Sequence, residues 1–539
     1  MSLLVEQTEQ NSRDGLLREV SRRRTFAIIS HPDAGKTTLT EKLLLYAGAV
    51  ELAGAVRARG NLQHTASDWM SMEKQRGISI SATALEMEYR GCRINLLDTP
   101  GHQDFSEDTY RTLMAVDSAV MVLDSAKGIE PQTEKLFRVC RMRGIPILTF
   151  INKMDHPGRD PLALLDEVER MLGITAVPLN WPVGDGPTFQ GVYDLQGERV
   201  LLFQRTTHSQ SRAPLQVTGL DDPLLPELLG EQACRKLTED VELLAGTVAG
   251  FDRALFLSGE MTPVFFGSAL NNFGVEPFLE AILDLAPPPV PRETEEGIID
   301  PNSEVFSGFV FKVQANIDPR HRDRMAFLRI CSGHFRKDMT VYHPRLGRDV
   351  RLSRSFRLFG RERETIDEAF PGDVIGIVSP GLFTIGDTVT TGKPMPFARI
   401  PRFPPEHFGT LVNGDITRYK QFHKGLLQLE EEGAVQVLHA EDGYSREPVL
   451  AAVGELQFDV VLSRLSDEYG VKARIDRLPF TCARWVQAES TALEQISLSR
   501  RSNRRCQDLQ GRLVILFSSI WDLEYCQKEN PDIAFIEMG

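Results

Sequence analysis

Hydrophobic and polar positions follow different periods in different parts of this chain, and the changes predict where its domains begin and end. Up to about residue 290, short apolar runs of strand length alternate with stretches in which apolar residues recur at helical spacing. The predicted strands are 26–29, 82–89, 92–97, 118–124, 146–151, 191–195 and 263–266, and the predicted helices are 13–24, 38–45, 105–115, 131–143, 227–249 and 275–285. Strands that alternate with helices favour a mostly parallel sheet covered on both faces.

Two proline-rich breaks, at 286–291 and 394–405, separate this region from two others. Between the breaks the apolar runs are short, alternating and bounded by turns, which predicts an antiparallel β-barrel. The last region mixes helical spacing at 421–432 and 456–469 with strand-like runs. We therefore expect a multidomain protein: an α/β domain over residues 1–290 with an insertion at about 156–262, an antiparallel β-barrel over 300–395 and an α+β C-terminal domain over 400–539.

Charge and composition indicate the cellular compartment of the protein and exclude some classes of partner. The net charge of −14 argues against non-specific coating of DNA or RNA, although it leaves room for a local basic face. No apolar run approaches the roughly 20 residues that cross a membrane, and residues 1–24 lack the apolar core of a signal peptide. The seven cysteines are scattered without a CxxC pair, which is typical of a reducing compartment. We therefore expect a cytoplasmic protein whose partners include neither membrane nor DNA.

The loop between the first predicted strand and the next helix carries the first functional motif. Its residues are Ser30, His31, Pro32, Asp33, Ala34, Gly35, Lys36, Thr37 and Thr38. In a strand–loop–helix setting, backbone N–H groups and the positive helix end face phosphates, Lys36 reaches the outer two, and the Thr37 hydroxyl binds Mg²⁺. An ordinary glycine-containing turn is the alternative, but the flanking strand and helix favour a nucleotide site. Ser30 stands where the motif usually has its first glycine.

A second motif, Asp98-Thr99-Pro100-Gly101-His102, follows the strand-like run 92–97. An acidic residue at the end of a buried strand can hold Mg²⁺ through water, and Gly101 lets its backbone N–H approach a terminal phosphate. This motif therefore predicts the metal and γ-phosphate side of the same nucleotide site.

A third motif, Asn152-Lys153-Met154-Asp155, follows another strand-like run and predicts which base is bound. An Asn amide can read the O6/N7 edge of guanine, and an Asp carboxylate can accept from N1–H and the exocyclic amine; adenine lacks both donors. Alone the motif could be a helix cap, but after the other two it indicates guanine specificity. Further along the chain, backbone N–H groups of Gly267-Ser268-Ala269-Leu270 could touch the guanine oxygen, and Ser268 and Ala269 are the residues predicted to bind the nucleotide.

The order of these motifs resembles that of the translational GTPases of the elongation-factor type. Arg76-Gly77-Ile78-Ser79-Ile80 and the form of the second motif are specific to that group. Longer stretches resemble the bacterial class II release factors within it, and these are 26–42, 64–80, 103–112, 146–152, 309–324 and 455–461. The resemblance spans nearly the whole chain, apart from about the first fifteen residues and the C-terminal tail. It implies a P-loop GTPase domain with an insertion, an elongation-factor-like β-barrel and a third domain that contains a ferredoxin-like fold.

The resemblance also implies roles for particular residues. GTP or GDP would bind with Mg²⁺, whose ligands would be Thr37, Ser79 and Asp98, with Ser79 standing where the group usually has threonine. The residues implied in catalysis are Lys36, which would stabilise charge on the leaving GDP, His102, which would orient the attacking water, and Asp33, which could hold a monovalent cation. Ile78 and Pro32 would form an apolar gate that keeps His102 away until the ribosome docks. A turn-capping histidine is the alternative interpretation of His102.

Ribosome-stimulated GTP hydrolysis in translation termination is the function that the resemblance implies. The partners would be the 70S ribosome with its ribosomal RNA and the class I peptide chain release factors. The protein would stimulate the class I factors and promote their dissociation from the ribosome. It would act as a monomer and without codon specificity. A translocase or ribosome-protection factor is a second hypothesis, against which the absence of extra C-terminal domains weighs. A guanine-nucleotide binding module without significant hydrolysis is a third.

A run of basic residues between Arg320 and Arg363 stands out in this acidic chain. At strand spacing, many of these side chains could share one face and meet RNA phosphates. The alternative is that they lie on solvated strand faces and pair with local acids.

Overall fold

The computed structural model describes residues 13–48, 50–52, 55–56, 73, 79–203, 215–316, 323–359, 362–378, 381–393, 396–397, 403–441, 447–487, 496 and 503–537. The predicted gate residue Ile78 lies outside these ranges, as does most of the segment 54–76 before it. No helix within the described ranges is long and apolar enough to cross a membrane.

A twisted sheet of seven strands forms the centre of the N-terminal region. In spatial order its strands are Thr83–Tyr89, Cys92–Asp98, Arg23–Ser30, Ser118–Asp124, Ile147–Asn152, Met261–Phe266 and Thr175–Pro178. The first pair is antiparallel, with Thr83 opposite Asp98, and every other pair is parallel. The carboxyl ends of the parallel strands therefore meet at one edge, where α/β sheets bind ligands.

Helices cover both faces of this sheet, as the alternating pattern predicts. Along the strand Arg23–Ser30, Phe26 and Ile28 face one apolar cluster, whereas Ala27 and Ile29 face the other. The helices on the first face are Lys36–Tyr46 and Val275–Leu285, and those on the second are Ser106–Leu113, Pro131–Met142 and Pro161–Leu172. Residues 13–21 are also helical and precede the first strand.

The predicted insertion 156–262 is only partly separate, because the helix Pro161–Leu172 and the strand Thr175–Pro178 within it belong to the central sheet and its helical layer; residues 180–257 form a small antiparallel sheet and three helices. The strands, in spatial order, are Leu215–Thr218, Arg199–Leu202, Gly191–Asp194 and Asn180–Val183, and the helices are Leu224–Leu229, Glu231–Thr247 and Arg253–Leu257. The single helix predicted over 227–249 is wrong, because Gly230 adopts a φ of +84° and separates two helices there.

The second region is a curled antiparallel sheet around its own apolar core, which confirms the barrel-like architecture predicted from the alternation. Its main strands, in spatial order, are Arg348–Arg351, Thr340–His343, Thr388–Thr390, Ser307–Ala315, Arg324–Ser332, Val374–Val378 and Ser355–Phe359. Short strands are added at Phe335–Arg336, Glu362–Thr365 and Glu368–Ala369, and a hairpin of Arg292–Thr294 and Gly297–Ile299 precedes the sheet. Buried ion pairs attach this sheet to the first region: Arg23 with Asp373 at 2.8 Å, and Arg329 with Asp117 at 2.5 Å.

The third region begins with a βαββαβ unit, in agreement with the α+β prediction. Its elements are His407–Asn413, helix Tyr419–Glu431, Gln436–Ala440, Val449–Ala452, helix Leu456–Tyr469 and Ala473–Arg477. Both helices contribute to one apolar cluster with the sheet. The sheet continues through Asn503–Asp508, Leu513–Phe517, Cys482–Gln487 and Ala534–Ile536, and the helix Ile520–Glu529 packs beside it.

The basic run between Arg320 and Arg363 does not form one exposed face. Arg324 and Arg329 are buried, so neither can meet RNA. The described ion pairs of this run are Arg324–Glu431, Arg329–Asp117, Lys337–Asp367, Arg345–Asp387, Arg351–Asp338, Arg354–Asp323, Arg357–Glu86 and Arg363–Asp323. Arg320, Arg322 and Arg361 lie outside the described residues. Local and interdomain acids therefore neutralise most of the run.

Candidate functional site

A cavity of about 310 Å³ opens at the carboxyl ends of the parallel strands and brings the first two motifs together. Its lining residues are Ser30, His31, Pro32, Asp33, Gly35, Lys36, Thr37, Thr38, Ser79, Gly101, His102 and Lys153. The sequence predicted each of these residues for one nucleotide site, although they come from four separate segments of the chain.

The phosphate loop has the backbone that its residue types predict. Gly35 has a φ of +93° and immediately precedes the helix Lys36–Tyr46. A Cβ at this position would lie 2.3 Å from Asn152 Nδ2, so only glycine fits. Asp33 is exposed and also left-handed, with a φ of +68°. Ser30 replaces the first glycine without a clash, because it is the last residue of a regular strand; its buried Oγ has no hydrogen-bond partner among the described residues.

Lys36 carries the buried positive charge of the cavity. Its Nζ lies 2.5 Å from Asp98 Oδ1 and 3.5 Å from Ser79 Oγ, and the side chain is only 6% exposed. Thr37 and Ser79 thus line one pocket with Lys36, whose ammonium is paired with the buried carboxylate of Asp98. Among the described residues no cluster of three or more His, Cys, Asp or Glu side chains could hold a metal. A cation here would be bound by hydroxyls, water and Asp98, which is the oxygen-rich set that suits Mg²⁺.

His102 lies at the wall of the same cavity and also caps a short helix. Its Nδ1 accepts a hydrogen bond from the Asp104 N–H at 3.3 Å, at the start of the 3₁₀ turn Gln103–Phe105. The side chain is 30% exposed, and among the described residues no hydrogen bond reaches its Nε2. His102 therefore caps this turn through Nδ1 and also lines the cavity.

The third motif lies beside the phosphate loop. Asn152 donates from Nδ2 to the Ala34 carbonyl at 2.8 Å and accepts at Oδ1 from the Ala269 N–H at 2.9 Å. Its amide therefore ties the phosphate loop to the loop 267–273, which leaves one N–H for a base. Met154 packs in the apolar core, so its side chain contributes to the fold rather than to the cavity.

Asp155 carries an unsatisfied buried acceptor. Its Oδ2 accepts from Asn271 Nδ2 at 2.8 Å, whereas its buried Oδ1 has no hydrogen-bond partner among the described residues. A buried carboxylate oxygen without a donor is costly, because it loses its hydration without compensation. This oxygen is thus available for a donor from a ligand.

The loop 267–273 differs in detail from the sequence prediction. The Ser268 N–H donates to the Phe273 carbonyl and the Ala269 N–H to Asn152, so neither is free for a guanine oxygen. Within this loop Leu270 is the residue whose N–H has no described partner, and its side chain is 63% exposed. Leu270 belongs to the stretch that the sequence indicates for the guanine oxygen, whereas sequence reasoning missed Asn271, which orients Asp155. Its only signal is its place directly after that stretch.

Electrostatic neighbours fix several side chains around the cavity. Burial lowers the pKa of His31, whose Nε2 lies 3.2 Å from Glu130. Burial opposes ionisation of Asp124, but hydrogen bonds from Lys153 and from the Ala126 N–H outweigh it and lower the pKa of this carboxyl. Asp124 holds Lys153 Nζ at 2.8 Å, which leaves the methylene stem of Lys153 along the cavity.

Two other residues of the second motif have structural roles. The Thr99 hydroxyl donates to the Ile28 carbonyl at 2.6 Å, and the Pro100 carbonyl accepts from Thr109 Oγ1 at 3.2 Å. These bonds fix the turn that carries Gly101 and His102.

The segment 79–82 at the edge of the cavity is held from three sides. Glu73 accepts from the backbone N–H groups of Ile80 and Ser81, and Asp108 accepts from that of Ala82. Lys312, on a strand of the second region, donates to Ser81 Oγ at 2.5 Å and to the Ala82 carbonyl. Burial lowers the pKa of Lys312, whereas the carboxylates of Asp108, Glu73 and Glu432 favour its charged form.

The third region contacts residues next to the cavity. Asp104, two residues after His102, accepts from the Leu456 N–H at 2.7 Å, at the start of the helix Leu456–Tyr469. Ile80 and Phe105 form a small apolar cluster with Val460 of that helix. Residues on both sides of the cavity therefore contact all three regions.

Comparisons with known families agree with this fold. Residues 21–288 match the elongation factor Tu GTP binding domain, 305–392 match elongation factor G domain 2, and 397–527 match the class II release factor RF3 C-terminal domain. A crystal structure of a Thermus thermophilus protein shares the fold at a TM-score of 0.68, with 24% identity, over 87% of this chain and 71% of that one. The fold and the cavity together define a translational GTPase.

Three relatives named peptide chain release factor 3 show to which family of translational GTPases the chain belongs. The Gloeobacter violaceus protein is 58% identical over 97% of this chain and 99% of its own length. The Acaryochloris marina protein is 54% identical over 96% of both chains, and the Symbiobacterium thermophilum protein is 53% identical over 97% and 98%. The chain belongs to the peptide chain release factor 3 family. It is therefore a ribosome-dependent GTPase of translation termination, as the sequence predicts.

Proposed function

We propose that the cavity between the phosphate loop and Asp155 binds GTP and GDP, and that GTP is hydrolysed there when the ribosome docks. The unsatisfied buried Oδ1 of Asp155 is the observation that carries this proposal. Guanine offers it the N1–H and amine donors that adenine lacks. The remaining N–H of Asn152 faces the N7 edge, the Leu270 N–H meets O6, and the Lys153 stem covers one face of the ring.

The phosphates lie on the N–H groups of residues 32–38, at the positive end of the helix Lys36–Tyr46. The loop fits them because Gly35 has no Cβ and its backbone can approach closely. Lys36 leaves Asp98 for the β- and γ-phosphate oxygens and neutralises charge on the departing GDP. Mg²⁺, when bound, neutralises the β- and γ-oxygens further. Thr37, Ser79 and Asp98 would hold it, and exposed Asp33 would hold a monovalent cation.

His102 positions the attacking water. Its Nδ1 is held by the Asp104 N–H, so the ring can present Nε2 to a water at the γ-phosphate. The water oxygen attacks phosphorus as the bond to the β–γ bridging oxygen breaks, which gives GDP and inorganic phosphate. Because Asp104 also binds the third region, docking on the ribosome can change the orientation of His102 through the helix Leu456–Tyr469.

The cycle would serve class I release factors. GTP holds Ser79 and Gly101 on the γ-phosphate and its metal, and hydrolysis releases both segments. We propose that a cytoplasmic monomer uses this change to promote dissociation of class I factors from the 70S ribosome after peptide release. Membership in the release factor 3 family supports this role.

Substitution His102→Ala tests the catalytic assignment. Removal of a positioned water-binding group should lower ribosome-stimulated GTP turnover about 100-fold or more. The affinity for a fluorescent GTP analogue should stay within about twofold, because His102 touches neither the base nor the phosphates. Gln103→Ala, at the exposed neighbouring residue, is the matched control and should keep full stimulation. Stimulated turnover that survives in the alanine variant would refute the role of His102.

A further inference from the structure

A basic and aromatic surface lies at the start of the helix Tyr419–Glu431 in the third region. We define the 416–424 patch by the residues Ile416, Arg418, Tyr419, Lys420, His423 and Lys424. All six are exposed, Ile416 to 87% and Tyr419 to 60%. An isoleucine and a tyrosine this exposed, side by side with four basic side chains, mark a surface built for a partner.

The patch combines charge with two aromatic rings. The Tyr419 and His423 rings lie edge to face with their centroids 4.2 Å apart, because they are one helical turn apart. Lys420 and Lys424 are likewise separated by four residues and project from one side of the helix. Lys472 adds a further cation at this edge, since its carbonyl accepts from the Gly414 N–H just before the patch.

Internal acids do not neutralise this charge. The nearest described carboxylate to a cation of the patch is Asp415, 3.7 Å from Arg418 Nε. Lys420, His423 and Lys424 form no ion pair within the part of the chain that the structure describes. Most cations of the 320–363 run, by contrast, pair with an acid of the protein. In an acidic molecule, the 416–424 patch therefore keeps an uncompensated positive charge.

The charge order along the helix is opposite to the one that stabilises helices. Acidic residues favour the positive amino end and basic residues the negative carboxyl end. Here the first turn contains no acidic residue and the last turn contains no basic one. The acids at the carboxyl end have partners, since Glu431 pairs with Arg324 of the second region. No contact among the described residues explains the bases at the amino end, so we attribute them to an external anion.

We propose that the 416–424 patch contacts ribosomal RNA, with its cations on phosphates and Tyr419 stacked on an unpaired base. The inference rests on the ribosome-dependent function and assigns a surface to it. RNA fits better than an acidic protein because backbone phosphates suit dispersed lysines, and exposed bases suit an exposed aromatic ring.

The test is binding of the variant K420E/K424E to 70S ribosomes in the presence of a non-hydrolysable GTP analogue, over a series of salt concentrations. We expect at least tenfold weaker binding, and a slope of log affinity against log salt that is shallower by about 1 for each phosphate that the variant no longer binds. The conservative variant K420R/K424R should bind like the wild type. R348E/R351E on the second region makes the same change in net charge at exposed positions and should leave binding unchanged.

Stability and turnover separate a weakened interface from a damaged fold. K420E/K424E should melt at or above the wild-type temperature, because glutamate near the amino end complements the helix dipole. Its GTP turnover at saturating ribosomes should return to nearly the wild-type value, since the patch lies outside the catalytic cavity. Wild-type turnover that did not respond to ribosomes would contradict the proposed function itself. A response in the wild type together with unchanged ribosome binding by K420E/K424E would contradict only the proposal for the 416–424 patch.

Cross-linking identifies the partner. A photoreactive amino acid in place of Tyr419 should attach to ribosomal RNA. Attachment to ribosomal protein alone would overturn the proposal, and so would unchanged ribosome binding by K420E/K424E or an equal loss in R348E/R351E.

Discussion

Asp155 is the single residue on which the proposed guanine specificity depends. One carboxylate oxygen is fixed by Asn271, and the other is buried without a described donor. The sequence predicted the carboxylate because its spacing from a strand end is local information. It could not predict that Asn152 uses most of its amide on Ala34 and Ala269, since those contacts span more than a hundred residues.

Substitution Asp155→Asn should reverse the preference for the base. The amide would present an N–H to the guanine amine, and the loss of two charge-assisted hydrogen bonds costs about 3 kcal/mol or more. GTP affinity should therefore fall at least about 100-fold. Xanthosine triphosphate carries an oxygen in place of that amine and should bind the variant more tightly than GTP does.

Nucleotide titrations monitored by fluorescence measure both affinities. Asp166→Asn, an exposed carboxylate on the helix Pro161–Leu172, is the matched control and should behave like the wild type. Wild-type affinity for GTP in the Asp155 variant would remove Asp155 from the site.

At the scale of elements, the segment 79–82 joins the cavity to the barrel-like region. Lys312 reaches it from the strand Ser307–Ala315 and binds both the Ser81 hydroxyl and the Ala82 carbonyl. No sequence pattern indicates this contact, because Lys312 stands in an ordinary alternating strand more than 200 residues away. Such a contact depends on how two domains pack, which periodicity cannot report.

Substitution Lys312→Met should therefore loosen this segment. Methionine has a similar length but donates no hydrogen bond, so Ser79 would be held less firmly for a γ-phosphate and its metal. We expect GTP affinity to fall by about three- to tenfold, equivalent to about 1 kcal/mol, with GDP affinity nearly unchanged. Amide hydrogen exchange at residues 80–84 should become faster.

The control for Lys312 is Lys337→Met, which removes an exposed cation from the same region. It should change neither the ratio of GTP to GDP affinity nor the exchange rates. Equal loss of GTP and GDP affinity in the Lys312 variant would contradict a specific role in the GTP-bound state.

At the scale of the whole molecule, the sequence predicted the architecture of each of the three regions, because each follows from the spacing of apolar residues along a short stretch of chain. Apolar runs between helices indicated the α/β region, and alternation with turns indicated the curled sheet. Contacts between regions were not predictable: Asp104 and Leu456 are 352 positions apart, and Arg329 and Asp117 are 212 apart. The latter pair shows why the exposure of arginines in the run between Arg320 and Arg363 was not predictable, since tertiary partners decide whether an arginine is buried.

These interdomain contacts make the nucleotide cavity sensitive to the whole molecule. Glu432 of the third region accepts from the Ala315 N–H of the second region at 3.0 Å and pairs with Arg464 at 2.6 Å. Its carbonyl also accepts from Arg111 of the first region at 3.4 Å. Glu432 therefore contacts both other regions.

The most direct test of the central claim is steady-state turnover of GTP and of ATP by the full chain at increasing concentrations of 70S ribosomes. A guanine-specific cavity that the ribosome activates predicts that GTP turnover rises many-fold to a plateau, whereas ATP turnover stays at background. GTP turnover that does not respond to ribosomes, or an equal rise with ATP, would contradict it.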